Sequence, residues 1–177
     1  MREPASAGGG NGTTGALVIA GVDPGLARTG YGIIRGAGER WEVLASGTIE
    51  TEAGEPIEQR LLALYRALAE LFGTHEPDVV AVEQLFVNRN RRSAIMVGEA
   101  RGIVLLAAAQ AAARVVELTP QAVKLAITGQ GRGDKHQVAY MVRHLLHLRR
   151  PLAPDEGDAL AVALCAAYQA DAPVVGA

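Results

Sequence analysis

Two acidic residues each follow a short apolar run that is typical of a buried strand. Asp23 comes directly after the run at 16–22, and Glu83 comes directly after the run at 79–82. Open α/β sheets bind ligands beyond the carboxyl ends of their strands, so parallel neighbouring strands would bring these two carboxylates together. Like charges so close repel one another unless a cation compensates them. The pair therefore predicts a cation site at one edge of a sheet.

Two further carboxylates, Asp155 and Asp158, lie on the first turn of the last predicted helix, which spans 155–169. Their spacing places both side chains on one helix face. The helix dipole alone stabilises acidic residues at a helix N-terminus. Asp155 and Asp158 therefore indicate a functional site only when they are considered together with Asp23 and Glu83. The apolar stretch at 159–164 is expected to pack this helix onto the sheet and to bring all four acids together.

Four carboxylates without a His/Cys cluster favour Mg²⁺, with Mn²⁺ as a substitute, over Zn²⁺. Two such ions about 4 Å apart can activate a water and stabilise the leaving 3′ oxygen in an in-line displacement at phosphorus. The four acids therefore predict a site for two ions that hydrolyses phosphodiester bonds.

The elements that must position these acids can be read from hydrophobic periodicity. An α/β fold is predicted, with a five-stranded mixed sheet flanked by helices, in the order of the ribonuclease-H-like fold. The predicted strands span 16–22, 29–35, 41–50, 79–82 and 114–118, and the predicted helices span 57–72, 93–113, 120–127, 135–147 and 155–169.

Composition predicts one domain at 16–172, preceded by a disordered Gly-rich tail at 1–15 and followed by a flexible tail at 173–177. No apolar stretch approaches the ~20 residues that span a bilayer, and no secretory signal is visible, so no membrane partner is expected. The single cysteine, Cys165, cannot form an internal disulfide. These features predict a cytoplasmic location.

The net charge of −2 conceals a strong asymmetry along the chain. Segment 86–150 holds eleven of the 17 Lys and Arg residues but only three of the 19 Asp and Glu residues. Such segregation can build a basic face that binds nucleic acid, although solvated Arg-rich helix faces would give the same counts.

The predicted helix at 93–113 is apolar around most of its circumference, with Glu99 and Arg101 as its charged residues between 94 and 113. A helix of this kind needs burial on two sides. One side can face the sheet, and the other is expected to face a second copy of the chain, so we predict a homodimer through this helix. A helix sandwiched inside a monomer is the alternative.

Several sequence blocks together resemble one known family. The segment GVDPGLARTGYG at 21–32 resembles the opening motif of the RuvC family of Holliday-junction resolvases, and VEQLF at 82–86 resembles its second motif. The later blocks follow in the family's order: GEARG at 98–102, VK at 123–124, Lys135 with QV at 137–138, and DEGDALA at 155–161. The resemblance extends over roughly residues 17–168, with a Gly-rich extension before it and a short tail after it.

The resemblance implies a metal-dependent endonuclease that cuts four-way DNA junctions as a homodimer, nicking opposing strands symmetrically and leaving ligatable ends. It also implies a branch-migration helicase complex as a partner. The implied residues are Asp23, Glu83, Asp155 and Asp158 as catalytic metal ligands, Lys124 and Lys135 as contacts to the DNA backbone, and Phe86 as an aromatic that stacks on bases at the crossover.

The loop after Glu83 supports the same interpretation. An exposed aromatic such as Phe86 can stack on an unpaired base, although packing against the following helix is the alternative. Arg89, Arg91 and Arg92 fit phosphate contacts beside it, although an exposed charged loop needs no ligand.

Three other functions stay open from the sequence. The turn at Asp23 with Thr29 and Gly30 could bind phosphate in an actin-like ATPase, a fold that normally needs two such domains. A junction-binding protein without activity and a nuclease for RNA–DNA hybrids are the other two.

Overall fold

The computed structural model describes residues 15–84, 91–131 and 133–170, with side chains left undescribed at 91–93. The predicted tails at 1–14 and 171–177 lie outside the described residues. The predicted order of elements is confirmed along the chain. The strands are β1 (Leu17–Asp23), β2 (Arg28–Ala37), β3 (Arg40–Glu50), β4 (Val79–Glu83) and β5 (Arg114–Leu118), and the helices are α1 (Ile57–His75), α2 (Arg91–Gln110), α3 (Pro120–Thr128), α4 (Lys135–Leu145) and α5 (Pro154–Ala170).

The five strands form one mixed sheet in the order β3-β2-β1-β4-β5. Short turns join β1, β2 and β3 as antiparallel neighbours, whereas β4 and β5 pair parallel to β1 and to β4 after helical crossovers. The predicted fold class, an α/β fold with a five-stranded mixed sheet flanked by helices, is confirmed.

Helices cover both faces of the sheet because the central strands alternate their side chains between two cores. Ile19 and Ala81 point to a core shared with α3, α4 and α5. Ala20 and Val80 point to the opposite core, shared with α1 and α2. Helix α5 is buried without interruption from Ala159 to Ala167, which makes it the central helix of its layer.

Three helix C-termini differ from the prediction by two residues or more. Helix α1 continues through Gly73 to His75, because the buried Phe72 anchors its last turn and a glycine costs a helix only about 1 kcal/mol. Helix α2 ends at Gln110 rather than 113, before a turn in which Ala112 has a left-handed backbone. Helix α4 ends at Leu145 rather than 147, since His147 also adopts a positive φ. Local backbone reversals of this kind leave little trace in hydrophobic periodicity.

Among the helices of the described residues, none combines the length and the apolar character needed to cross a membrane.

Candidate active site

Asp23 and Glu83 end two neighbouring parallel strands. Val22 of β1 and Val82 of β4 are register partners, so each acid is the next residue at the same edge of the sheet. Both acids are partly buried, whereas the valines before them are fully buried. The predicted convergence of these carboxylates at one sheet edge therefore agrees with the strand register.

Three glycines let α5 lie directly on β1 and β2. A Cβ on Gly21 would overlap the backbone of Ala159, and a Cβ on Gly30 would overlap the carbonyl oxygen of Asp155. A Cβ on Gly32 would lie 2.6 Å from the Leu160 side chain. These glycines allow the backbone-to-backbone approach that places the first turn of α5, with its acids, over the strand ends.

The electrostatics indicate that the four acids share one region. Burial raises the pKa of Asp23 to about 7, with further contributions from the charges of Glu83, Asp158 and Asp155, in that order. Burial also raises the pKa of Glu83, and the charge of Asp158 adds to that rise. The charged forms of Asp23 and Glu83 are thus destabilised by desolvation and by acidic neighbours.

Two basic side chains pair with the acids of α5. The Lys135 Nζ donates to Asp158 Oδ2 at 3.1 Å, and the Arg28 Nε donates to Asp155 Oδ2 at 2.6 Å. Arg28 also forms an ion pair with Glu50 at 3.3 Å. Lys135 is a residue that the sequence predicted for this site, whereas Arg28 and Glu50 were missed.

Lys124 lies on the same side as Lys135, at a cleft of about 210 Å³. Glu83, Lys124, Lys135 and Asp158 contribute the charged part of its lining, and buried apolar residues such as Val123 form its floor. Both lysines lower the pKa of Glu83, which places their charges within electrostatic reach of that carboxylate. A cleft of this volume can admit a small anionic group beside Glu83 and Asp158.

The donor set fits a hard divalent cation. Carboxylate oxygens are the ligands that Mg²⁺ and Mn²⁺ prefer, and the raised pKa values of Asp23 and Glu83 report negative charge that a cation would stabilise. Within the described ranges, however, no three acidic, His or Cys side chains already meet as one coordination group. At α5, Arg28 and Lys135 hold Asp155 and Asp158 in ion pairs.

A buried network anchors the start of α5 to β3. The Glu156 side chain is almost fully enclosed and accepts hydrogen bonds from Arg150 at 2.5 and 3.0 Å, from Ser46 Oγ at 2.6 Å and from the Ala153 N–H at 3.2 Å. Glu156 lies between the two acids of the helix in sequence yet points away from them into this network. The sequence alone does not predict this network, because a third acid at a helix N-terminus looks like a generic capping charge.

The other predicted DNA contacts, those of the segment after Glu83, lie at or beyond the edge of the described residues. Phe86 and Arg89 lie outside the described residues. Arg91 and Arg92 begin α2, and their side chains are not among those described. Their proposed contacts to DNA stay predictions.

Comparison with known proteins identifies the family. The model of the family "Crossover junction endodeoxyribonuclease RuvC" matches residues 19–166. A protein of that name from Pelotomaculum thermopropionicum is 50% identical over 153 residues, 86% of this chain and 93% of the relative, and one from Alkalilimnicola ehrlichii is 48% identical over 153 residues, 86% of this chain and 92% of the relative. The structure of T. thermophilus RuvC in complex with Holliday junction substrate aligns with a TM-score of 0.84 and 36% identity, covering 88% of this chain and 95% of that one. The chain belongs to the RuvC family.

Proposed function

We propose that this chain is a structure-selective DNA endonuclease that resolves four-way junctions in recombination and repair by hydrolysing phosphodiester bonds. The observation that supports the proposal is that Asp23 and Glu83 end neighbouring parallel strands, where the charges of Asp158 and Asp155 also act on Asp23, beside Lys135 and Lys124. The relatives named above are crossover junction endodeoxyribonucleases, and one related structure holds a Holliday junction.

Asp23, Glu83, Asp155 and Asp158 would hold divalent cations, two per site, with Mg²⁺ as the cofactor and Mn²⁺ able to substitute. Bound there, the cations would polarise the scissile phosphate and lower the pKa of an attacking water. The ion pairs with Arg28 and Lys135 would orient the two α5 acids until a cation binds.

Lys135 and Lys124 would hold the scissile phosphate against the acids. The hydrogen bond to Asp158 raises the pKa of Lys135, so its ammonium stays charged at neutral pH and acts as an electrostatic contact rather than a base. Phe86 would stack on bases at the crossover, and Arg89, Arg91 and Arg92 would contact phosphates near it.

A homodimer would carry two such sites and cut opposing strands. Ile95 and Leu106 of α2 are 63% and 50% exposed and lie eleven residues apart, three helical turns, with the exposed Gly102 between them. The opposite side of α2, including Val104 and Ala108, is buried against the sheet layer. A helix that is buried on one side and carries an exposed apolar row on the other is suited to contact a second copy across a twofold axis.

The dimer has its own test in sedimentation velocity. We expect a dimer at micromolar concentration and a monomer for Leu106→Glu, whereas the matched change Leu62→Glu on the exposed side of α1 leaves the dimer intact. A monomeric wild-type protein would remove α2 as a dimer interface.

On the grounds of the family resemblance, the proposal also includes a branch-migration helicase complex as a partner and a cytoplasmic location.

The function is tested with an immobile four-way junction beside a linear duplex of the same sequence, in Mg²⁺, in Mn²⁺ and in a chelator. We expect paired nicks in opposing strands of the junction alone, only with a divalent metal, and none from Asp23→Asn, which should still bind the junction. Equal cleavage of the linear duplex, preferential cleavage of an RNA–DNA hybrid, or stabilisation by ATP without DNA cleavage would each overturn the proposal.

A further inference from the structure

Helix α4 presents an exposed aromatic row to solvent. His136, Gln137, Tyr140 and His144 are exposed, whereas Val138 and Val142 on the opposite side are buried in the core. Tyr140 is 65% exposed, and its ring stacks on that of His144 with centroids 6.4 Å apart and an interplanar angle of 7°. We call these four exposed residues the α4 surface.

The α4 surface belongs to an acid-free part of the chain. Residues 135–154 include four Lys and Arg residues and three histidines but neither Asp nor Glu. The nearest acid, Asp134, is engaged as the helix N-cap, where its carboxylate accepts the Gln137 N–H at 2.8 Å. A polyanion approaching this side of α4 therefore meets the hydrogen-bond donors of the α4 surface, with Lys135 at the start of the helix and Asp134 as the neighbouring acid.

A groove of about 400 Å³ runs between the α4 surface and the end of α3. It is lined by Thr128 and Gln130 on one side and by His136, Gln137, Tyr140 and Met141 on the other, with the capping residue Asp134 at the start of α4. Hydroxyl, amide and imidazole groups of this kind commonly donate hydrogen bonds to DNA phosphates and sugars.

The α4 surface is continuous with the candidate active site. Lys135, the first residue of α4, contacts Asp158, and the capping box at Asp134 and Gln137 fixes this end of the helix. From Lys135 to Leu145 the helix is 11 residues, about 16 Å long at 1.5 Å per residue. That length corresponds to roughly five nucleotide steps of 3.4 Å along a DNA strand.

We propose that the α4 surface binds the sugar–phosphate backbone of one junction arm, within about five base pairs of the cut. This inference rests on the proposed function, because it assumes that a junction occupies the site at Lys135. Tyr140 and His144 act as a flat, rigid platform against the strand, and the groove accepts the phosphates next to it.

The test measures junction affinity by fluorescence anisotropy in a chelator, where cleavage does not interfere. We expect the double change Tyr140→Ala, His144→Ala to raise the Kd roughly five- to tenfold, from the loss of two contacts. Tyr140→Glu should raise it further by charge repulsion. The matched control Leu62→Ala, also an exposed apolar residue but on α1, should leave the Kd unchanged.

A second measurement locates the contact. Replacing single phosphates by neutral methylphosphonates within about five nucleotides of the cut should weaken binding of the wild type more than that of the double variant. An equal loss for both proteins, or an unchanged Kd for the double variant, would overturn the inference. Absence of junction cleavage by the wild type would instead overturn the proposed function, so the two failures are distinguishable.

Discussion

Gly30 of β2 and Asp155 of α5 are in direct backbone contact, since a methyl group at position 30 would overlap the Asp155 carbonyl oxygen. Gly30 is also the register partner of Asp23 in the β1–β2 pair. A single glycine thus sets the approach of an acid on α5 to an acid on the central strand. The spacing of the site depends on a residue without any functional group.

Gly30→Ala is therefore expected to displace the first turn of α5 and to damage the site more than the fold. Overpacking of this kind costs about 1–3 kcal/mol of stability, and we expect junction cleavage to fall at least tenfold. Chemical denaturation and single-turnover cleavage measure the two effects. The control is Gly73→Ala in α1, which meets no atom within 4 Å and should stabilise the helix slightly. Wild-type cleavage by Gly30→Ala would show that the contact does not set the site.

The raised pKa of Asp23, about 7, predicts a pH-dependent affinity for divalent metal. A carboxyl group whose pKa lies above its ordinary value is protonated at mildly acidic pH, and a cation must displace that proton. At limiting Mg²⁺, cleavage should rise between about pH 6 and pH 8. Because metal and proton compete, saturating Mg²⁺ should move the midpoint to lower pH. An identical midpoint at both metal concentrations would contradict this linkage.

The strand-end acids could be predicted because their placement follows from local rules. Buried runs before Asp23 and Glu83 predict strands, and the carboxyl ends of parallel strands meet at one edge. The convergence of α5 on this edge is predicted from the apolar stretch at 159–164 together with the two strand-end acids, since acids at a helix start are common for other reasons. Hydrophobic periodicity predicts where an element lies more accurately than where it ends. Helix α1, for example, continues through Gly73, where the pattern predicts its end.

The residues that the sequence missed act across long separations. Arg28 reaches Asp155 over 127 positions, and Ser46 reaches Glu156 over 110. Such pairs depend on how α5 packs over β2, which no local pattern encodes. One usable signal was present: Arg28, Gly30 and Gly32 alternate along β2, so Arg28 shares the face on which the glycines admit α5.

Lys135→Ala should slow cleavage more than it weakens junction binding. Its ammonium contacts Asp158 and lowers the pKa of both Asp23 and Glu83, so its loss should raise the pKa of both groups. Single-turnover rates and anisotropy separate the two effects, and Lys135→Arg should retain most of the electrostatic contribution. The pH midpoint of cleavage should also move upward in Lys135→Ala. An unchanged single-turnover rate would remove the proposed role.

Glu156→Gln tests whether the buried anchor of α5 depends on its charge. Arg150, above all, holds the pKa of Glu156 below its ordinary value of 4.5, with smaller contributions from Ser46 and the Ala153 N–H. A lowered pKa in the folded state means that the ionised group adds stability above about pH 4.5 and that this stability is lost as pH falls further. Glu156→Gln should therefore cost about 1–3 kcal/mol at pH 7, with the gap narrowing below pH 4.5.

Denaturation at pH 7 and at lower pH measures that gap for Glu156→Gln and for a control, Glu42→Gln. Glu42 pairs with Arg35 at 2.6 Å on the exposed surface of the sheet, where an ion pair contributes little. The two substitutions are chemically identical and differ in burial, since the Glu156 side chain is only 5% exposed and that of Glu42 is 61% exposed. If both variants lost the same stability, enclosure by Ser46 and Arg150 would not be the source of the effect. A Glu156→Gln protein that is stable but cleaves slowly would instead mean that the network acts on the orientation of Asp155 and Asp158.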